Sequence, residues 1–511
     1  MKKMRSILGI ALLSLIFSCH SGKHTQTTTD TTVSTTSVSD STTVKHIRYN
    51  VNSPQGQKAL TAMEAALKIM RNMDCSQTTS WYYQGAMHWV PDSIPVNPLC
   101  TSYTKPSDKK ANWDNCTHFK KGIEINFLIW HRLYIYNFEK IIRSISHDES
   151  FALPYWAYTD TTNVTANRTL NAMLRNPKSS LYTASRFKDL NNGAPLSGDI
   201  IPALDLTKLN QNTDLYLYSK QIDAAPHGAM HDYIGAGNNA NYMIYNEIYQ
   251  KVYNGGLMAN VPSAGFDPVF WLHHSNIDRI WQQWTNSPNG KKITVEDLKA
   301  HPINYHFYNE KGQEVIYTPE QIVKIIYNLD YDFDDTKLNQ GGALLKAKAT
   351  PSVFLSTNIA ADTIAEKNVV QNVTGKALTF SVANKHQQKL QLFASKNSAG
   401  VHKTVIVKLT VSVTKEPRGI YQVYINLPKG ATPDTKGNYF AGFMTFFGAT
   451  HPMSMPGMDM NEQEATFYFD LTDEFAQTNA LSKPNFDISI LDKSGKGLGN
   501  FTIKEVSIVV K

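Results

Sequence analysis

The chain changes period once. Up to about residue 335 its apolar residues recur every third or fourth position over long runs, and from about Thr350 they alternate with polar ones over short stretches. The first pattern predicts helices. Leu60, Met63, Ala66, Leu67 and Met70 share one stripe, so residues 54–73 read as an amphipathic helix. GIEINFLIWHRLYIYNFEKIIRSI gives a longer apolar helix. DAAPHGAMHDYI, from Asp223 to Ile234, begins another, with Pro226 suited to its first turn. The strongest stretch is GFDPVFWLHHSNIDRIWQQW, from Gly265 to Trp284, where nothing after Pro268 breaks a helix. The sixty or so residues before Asp223 have the composition of loops.

The second pattern predicts strands. KTVIVKLTVSVT sets Val405, Val407, Leu409, Val411 and Val413 on one face. IYQVYINLP, YFAGFMTFF, ATFYFDL, FDISIL and FTIKEVSIVV follow as short strands between Gly, Pro and Asp turns. The expected architecture is a mainly α domain followed by an all-β sandwich or barrel, joined by a low-order linker over 336–375.

Composition adds an address. Lys2, Lys3 and Arg5 precede the apolar run Ile7 to Phe17, which ends in Ser18-Cys19. The run is too short to span a bilayer comfortably and has the layout of an export signal. Its ending resembles a bacterial lipoprotein signal, which implies lipidation at Cys19 and a position in the periplasm or at the outer membrane. Residues 20–47, rich in Ser and Thr, read as a spacer. The net charge of +7 is scattered, and nothing in it points to nucleic acid. Cys75, Cys100 and Cys116 remain, an odd count that one pair plus one specially used thiol would explain.

The candidate chemistry is histidine. Phe270, His274 and Asp278 recur every fourth residue on one helix face, so Asp278 is a candidate for orienting His274. His227 and His231 share a face at the same spacing. Six histidines fall on or beside predicted buried helices in two triplets: His88, His118 and His131, then His227, His231 and His274. A lone histidine of this kind is ordinarily a satisfied core residue. Two triplets in aromatic surroundings point instead to metal. No carboxylate stands at ligand spacing with them, and thiolates are too few for structural zinc, so the donor set suits copper.

These residues resemble the type 3 copper proteins: tyrosinases, catechol oxidases and hemocyanins. DPVFWLHHSNIDRIW is similar to the family's second-copper signature, in which the second histidine of the pair binds; this maps to His274 and leaves His273 a neighbour. PHGAMH resembles the segment supplying His227 and His231. FLIWHRLYIYNFE resembles the first-copper helix bearing His131, and YYQGAMHW the segment donating His88. LPYWAY resembles a Pro-Tyr-Trp-Asp-Trp element, with Ala157 and Tyr158 replacing its last two residues. The family's usual spacing would put the middle first-copper ligand at position 122, which is Gly; Cys116-Thr117-His118 resembles the Cys-x-His of fungal-type members, implying His118 as ligand with a thioether to Cys116. Cys75 and Cys100 are then left as the candidate disulfide. Tyr331-Asp332-Phe333 resembles an element that closes the catalytic domain on an arginine, for which Arg48 is the candidate. GIYQVYINLP, YFAGFMTFFG and LDKSGKGLGNFTIKEVSIVV look like the C-terminal domain of plant-type polyphenol oxidases.

The resemblance implies a four-helix bundle holding two copper ions over 48–335, and a jelly-roll-like β domain over 376–511 that covers the active site. It implies an enzyme that oxidises phenols, o-diphenols and by extension monophenols, to o-quinones with dioxygen as co-substrate. An o-aminophenol oxidase and a hemocyanin-like oxygen carrier are the alternatives. Asp223 maps to the acidic residue that holds a water for monophenol deprotonation, one methylene shorter than the usual Glu, and Gly228 stands where efficient hydroxylases often have Asn. Both departures lean toward diphenol oxidation. A chain ending near Asp335 is expected to oxidise catechols faster than the full one. THPMSMPGMDM, Thr450 to Met460, reads as a flexible loop or as a soft copper-binding one.

Overall fold

The computed structural model describes residues 46–88, 116, 125–236, 242–248, 250–300, 305–327, 331–335, 362–373, 377–384, 404–413, 417–449, 463–478, 483–493 and 501–510. Cys19, Cys100, His118, the Met-rich segment 450–460 and residues 336–361 lie outside them.

The long helices form where the apolar stripes predict them, and polar caps set the starts of several. α1 (Pro54–Met70) begins at Ser53, whose hydroxyl accepts the Gly56 amide, with proline in its first turn. α2 (Trp81–Ala86) is capped in the same way by Ser80. α3 (Asn126–Ser146) ends at His147, whose φ of 55° is left-handed. α4 (Leu215–Ile222), capped by Asp214, lies in the stretch expected to be loop. Its sequence, LYLYSKQI, is only two turns long, too short to display a 3.6-residue period. After Ile222 the backbone departs from a regular helix. Ala225 is extended (φ −147°, ψ 131°), as the residue before a proline prefers, and α5 (Ala229–Ile234) follows.

α6 (Pro268–Thr285) is the expected central helix. The Asp267 carboxylate accepts the Val269 amide and the Arg186 guanidinium, and Arg186 also donates to the Leu174 and Leu181 carbonyls. Asp267 and Arg186 are fully buried, so the start of α6 is fixed by the interior. Along its length α6 packs on α3 through aromatic rings; Phe138 and Trp271 stack at 3.5 Å.

A buried charge network closes the helical domain. β1 (His46–Arg48), which takes the last two residues of the expected spacer, pairs in parallel with Tyr331–Phe333. Between them in the chain, Met243–Asn246 (β2) pairs with Lys251–Asn254 (β3), and Tyr305–Tyr308 (β4) with Glu314–Tyr317 (β5), so Tyr331–Phe333 is β6. Arg48 lies over the Tyr331 ring at 3.5 Å and donates to Glu139 of α3 and Asp278 of α6, each at 2.8 Å. Asp278 also accepts from Arg132 and, at 2.6 Å, from the Tyr331 hydroxyl.

The β region is two four-stranded antiparallel sheets. β7 (Asp362–Val373), β8 (Ala377–Ala383), β9 (Val405–Val413), β10 (Tyr421–Ile425), β11 (Phe440–Met444), β12 (Gln463–Asp470), β13 (Asn485–Asp492) and β14 (Phe501–Val510) assemble in the orders β11-β10-β13-β8 and β12-β9-β14-β7. Val407, Leu409, Val423, Phe467, Ile488 and Phe501 belong to one core shared by both sheets. The linker expectation is corrected at its end: β7, inside 336–375, is a full strand paired with β14. DTIAEKNVVQNV carries too many polar and Asn positions to alternate cleanly, and at the edge of the sheet it depends on its single neighbour for order. Among the described residues no helix is long and apolar enough to cross a membrane.

The two regions form one compact unit, Thr43–Lys511. Tyr216 of α4 meets Tyr468 of β12 edge-on at 5.3 Å, and Lys208 pairs with Glu474. Phe447 and Ile420 of the β region complete the helical core.

Candidate metal centre

Four of the histidines are oriented through Nδ1 by a backbone carbonyl. His88, just after α2, faces the Val261 carbonyl with Nδ1 at 2.9 Å. His131, in the middle of α3, faces Phe127 O at 2.8 Å, one turn back on its own helix. His231 on α5 faces Met258 O at 2.9 Å. His227 faces the Asp223 carbonyl at 3.1 Å and the Asp223 carboxylate at 3.0 Å. A carbonyl can only accept, so Nδ1 carries the proton and Nε2 presents its lone pair.

These rings converge in two groups. Ligand atoms of His227, His231, His273 and His274 all lie within 4.8 Å of one another, as do those of His88, Cys116 and His131. The groups abut: His131 and His274 stack at 4.2 Å with an interplanar angle of 4°, and Phe270 lies against both, 4.2 Å from His274 and 4.8 Å from His88. All are buried. Burial pushes His231, His273 and His274 well below the ordinary imidazole range, and the neighbouring imidazoles push the same way.

The arrangement fits metal. Nε2 of His231 and His273 and both nitrogens of His274 are buried without a hydrogen-bond partner. Leaving such atoms unsatisfied costs about 1–3 kcal/mol each. Neutral imidazoles with aligned lone pairs and no carboxylate in either group are the donor set of a borderline or soft transition metal. Cys116 is buried with Sγ 3.7 Å from His131 Nε2; burial pushes its thiol well up, and Asp223 adds to this. Cys75 is disulfide-bonded.

The structure brings together five of the six expected histidines, His118 being outside the described residues. It adds His273, whose Nδ1 lies 2.8 Å from the Tyr158 hydroxyl. One expectation is corrected. Asp278 does not orient His274, since neither nitrogen of His274 has a hydrogen-bond partner and the carboxylate is taken by Arg48, Arg132 and Tyr331. The four-residue spacing puts both residues on one face, but two arginines outcompete a neutral ring for a buried carboxylate.

Three residues at the site come from the β region. Phe446 points into the β core and the next residue, Phe447, points the other way. The Phe447 ring stacks on His231 at 4.0 Å and meets His227 edge-on at 5.8 Å. Thr445 donates to Ala224 O at 2.8 Å, and a Cβ on Gly228 would come 2.5 Å from its hydroxyl. Arg418 donates to Ala259 O at 2.7 Å, next to the carbonyl that holds His231.

The helical domain thus buries two adjoining histidine-rich groups, each of which could hold a metal ion. Residues 78–198 and 198–287 match the family model described as the common central domain of tyrosinase, and residues 357–511 match a domain of unknown function, DUF7868. The helical region carries a tyrosinase-type central domain, and the chain is similar in sequence to tyrosinases and polyphenol oxidases. It is 28% identical to tyrosinase HcTyr1 of Hahella sp. over 49% of this chain and 55% of that one. With polyphenol oxidase C of Solanum lycopersicum it shares 26% identity over 36% of this chain and 33% of that one. The chain thus spans about half the length of the first of these curated relatives and a third of the second. Over both domains its fold is similar to a latent aurone synthase (TM-score 0.61, 18% identity, 92% of this chain and 89% of that one) and to a latent apple tyrosinase (0.61, 19%, 91% and 97%). A tyrosinase-type domain implies a dinuclear copper site, and the two histidine groups are where this chain would hold it.

Proposed function

We propose that the chain is a copper-dependent oxidase that converts o-diphenols to o-quinones with dioxygen. The observation that carries this reading is the pair of buried, carboxylate-free imidazole groups, stacked ring on ring at His131 and His274. His88, His118 and His131 would hold the first copper, and His227, His231 and His274 the second. Bound there, the coppers supply the binding and reduction of dioxygen. The chain's part is to fix the imidazoles of His88, His131, His227 and His231 through the oxygens facing Nδ1 and to keep water out with Phe270 and Phe127. The Asp223 carboxylate already faces His227 Nδ1, so it acts on the imidazole as well as on any water beside it. This supports diphenols as the main substrates. Loading the purified chain with copper and offering catechol, a monophenol and o-aminophenol in parallel tests the reading; a copper-loaded chain that turns over none of them, with Phe447 replaced by alanine, ends it.

We also infer that the β domain keeps the site closed. Phe447 occupies the face of His231 where a phenol ring would stack, and the seam beside Asp223, Ala224, Thr445 and Phe447 holds a cavity of only about 20 Å³. That is room for about one water molecule. Phe447→Ala in the full chain is expected to raise catechol turnover at least about tenfold, from the roughly 1.4 kcal/mol that a tenfold rate represents. Its metal content is expected to stay the same. Equal turnover in parent and variant would remove Phe447 from this role.

Export and lipid anchoring rest on Lys2, Lys3, Arg5, the run Ile7 to Phe17 and Cys19. Replacing Cys19 by alanine is expected to move the protein from the membrane to the soluble fraction of cells producing it; an unchanged distribution excludes the anchor.

A further inference from the structure

We propose that Arg418 is a positioning residue for the second metal site, so that the β domain braces the centre as well as covering it. The proposal rests on the reading of the histidine groups as metal sites. His231 sits between two chain segments. On one side is Met258, whose carbonyl fixes His231 Nδ1 and which lies in the short turn Leu257–Ala259. On the other is Asp232, the next residue along α5, whose side chain is fully buried. A single guanidinium from the β domain reaches both. Arg418 Nη1 donates to Ala259 O at 2.7 Å and lies 3.4 Å from Asp232 Oδ1, while Nη2 lies 3.4 Å from Asn260 Oδ1.

The geometry explains why an arginine stands there. A planar fork with several donors can hold a backbone carbonyl and a carboxylate at once, and it carries the charge that a buried aspartate needs. Asn260 is held in turn by its own donation to Gly256 O at 2.9 Å. A Cβ on Gly235 would come 2.4 Å from the Ala259 nitrogen, so the end of α5 and the turn are in direct backbone contact. Moving the turn moves the carbonyl that sets the His231 ring. The carbonyl oxygens behind metal-bound imidazoles commonly govern metal retention by about 10–100-fold.

The β domain therefore acts on His231 twice, in opposite senses. Phe447 covers the ring face; Arg418 holds the ring's carbonyl support in place. Cutting away the whole domain would release both, so the rate gained by uncovering the site is offset by a looser second ion. Replacing Phe447 alone separates the two.

The test uses the full chain as Arg418→Gln, Arg418→Lys and Phe447→Ala beside the parent. Each is loaded with copper, and loss of metal to excess chelator is followed together with amide hydrogen exchange of the metal-free protein. In Arg418→Gln, one of the two ions is expected to leave at least about tenfold faster. Exchange of residues 229–234 and 257–260 is expected to rise, with the β strands unchanged. Arg418→Lys, which keeps the charge but not the fork, is expected to fall between Gln and parent. Phe447→Ala is expected to release metal within threefold of the parent rate. Parent-like release and exchange in Arg418→Gln overturns the proposal, as does equal loosening in Phe447→Ala, which would make the effect one of general undocking. A parent that binds no metal ends the copper reading, and the exchange measurement still decides whether Arg418 braces the turn.

Discussion

His274→Ala is expected to bind one metal ion per chain where the parent binds two, and to lose catechol oxidation by at least about a thousandfold, since a metal's charge stabilisation is worth several kcal/mol. His273→Ala is expected to keep both ions and to lose no more than about tenfold, the scale of a group that supports a ligand. The two residues are adjacent and equally buried, and ligand atoms of both lie within 4.8 Å of His227 and His231. What separates them is the other face of each ring. His273 Nδ1 meets the Tyr158 hydroxyl, which ties it to the segment after Leu153, and its ring stacks beside Tyr158. His274 lies against His131 and Phe270, where the two groups meet, with both nitrogens unpartnered. Metal per chain after dialysis, with the oxidation rate measured on the same samples, checks the split. Two ions retained by His274→Ala and one by His273→Ala would reverse the assignment and make Tyr158 the residue that orients a ligand.

The central helix was legible because every signal agreed. Asp267 is a cap, Pro268 a first-turn residue, and the apolar stripe runs to Trp284; the structure adds only that Arg186 pins the cap. The strands with clean alternation were equally plain. Where the chain is organised by distant partners, local pattern fails. β7 has too little alternation to stand out and is defined by β14, more than a hundred residues away in the chain. Asp278 illustrates the same limit at the site. Helical spacing placed it on the face of His274, but whether its carboxylate serves a histidine or an arginine is decided by Arg48 and Arg132, and Arg48 comes from outside any helix. Phe447, Thr445 and Arg418 carried no local signal as site residues. Phe447 reads as one more residue of an aromatic strand, and only the alternation after Phe446 hints that it faces away from the β core.

Asp278→Asn is expected to destabilise the folded chain by about 3–5 kcal/mol, the usual consequence of breaking a buried ion pair from one side. Arg48 is fully buried and Arg132 nearly so, and Asp278 is the carboxylate they share. An asparagine there accepts a hydrogen bond but returns no charge, so Arg48 keeps only its pairing with Glu139 and Arg132 loses the carboxylate it pairs with. At roughly 2–4 °C per kcal/mol for a domain of this size, the melting midpoint is expected to fall on the order of 10 °C. Replacing Lys299 of the exposed Lys299–Glu320 pair should leave it unchanged. The network also sets a pH dependence. Burial alone would raise the Glu139 carboxyl, but Arg48, Arg143 and the Leu153 amide together hold it below its ordinary value. The unfolded chain therefore takes up a proton at Glu139 at a pH where the folded one does not. Stability from this group is complete above about pH 4.5 and is lost as the pH falls below it. Glu139→Gln removes that contribution, so it should melt lower than the parent at pH 7 and show a shallower loss as the pH falls below about 4.5. Because Arg48 joins β1 and β6 to α3 and α6, unfolding of either variant should begin at these joined segments. Hydrogen exchange at 46–51 and 331–335 should rise before it rises in α6, and the reverse order would place the weak point in the metal-binding helices.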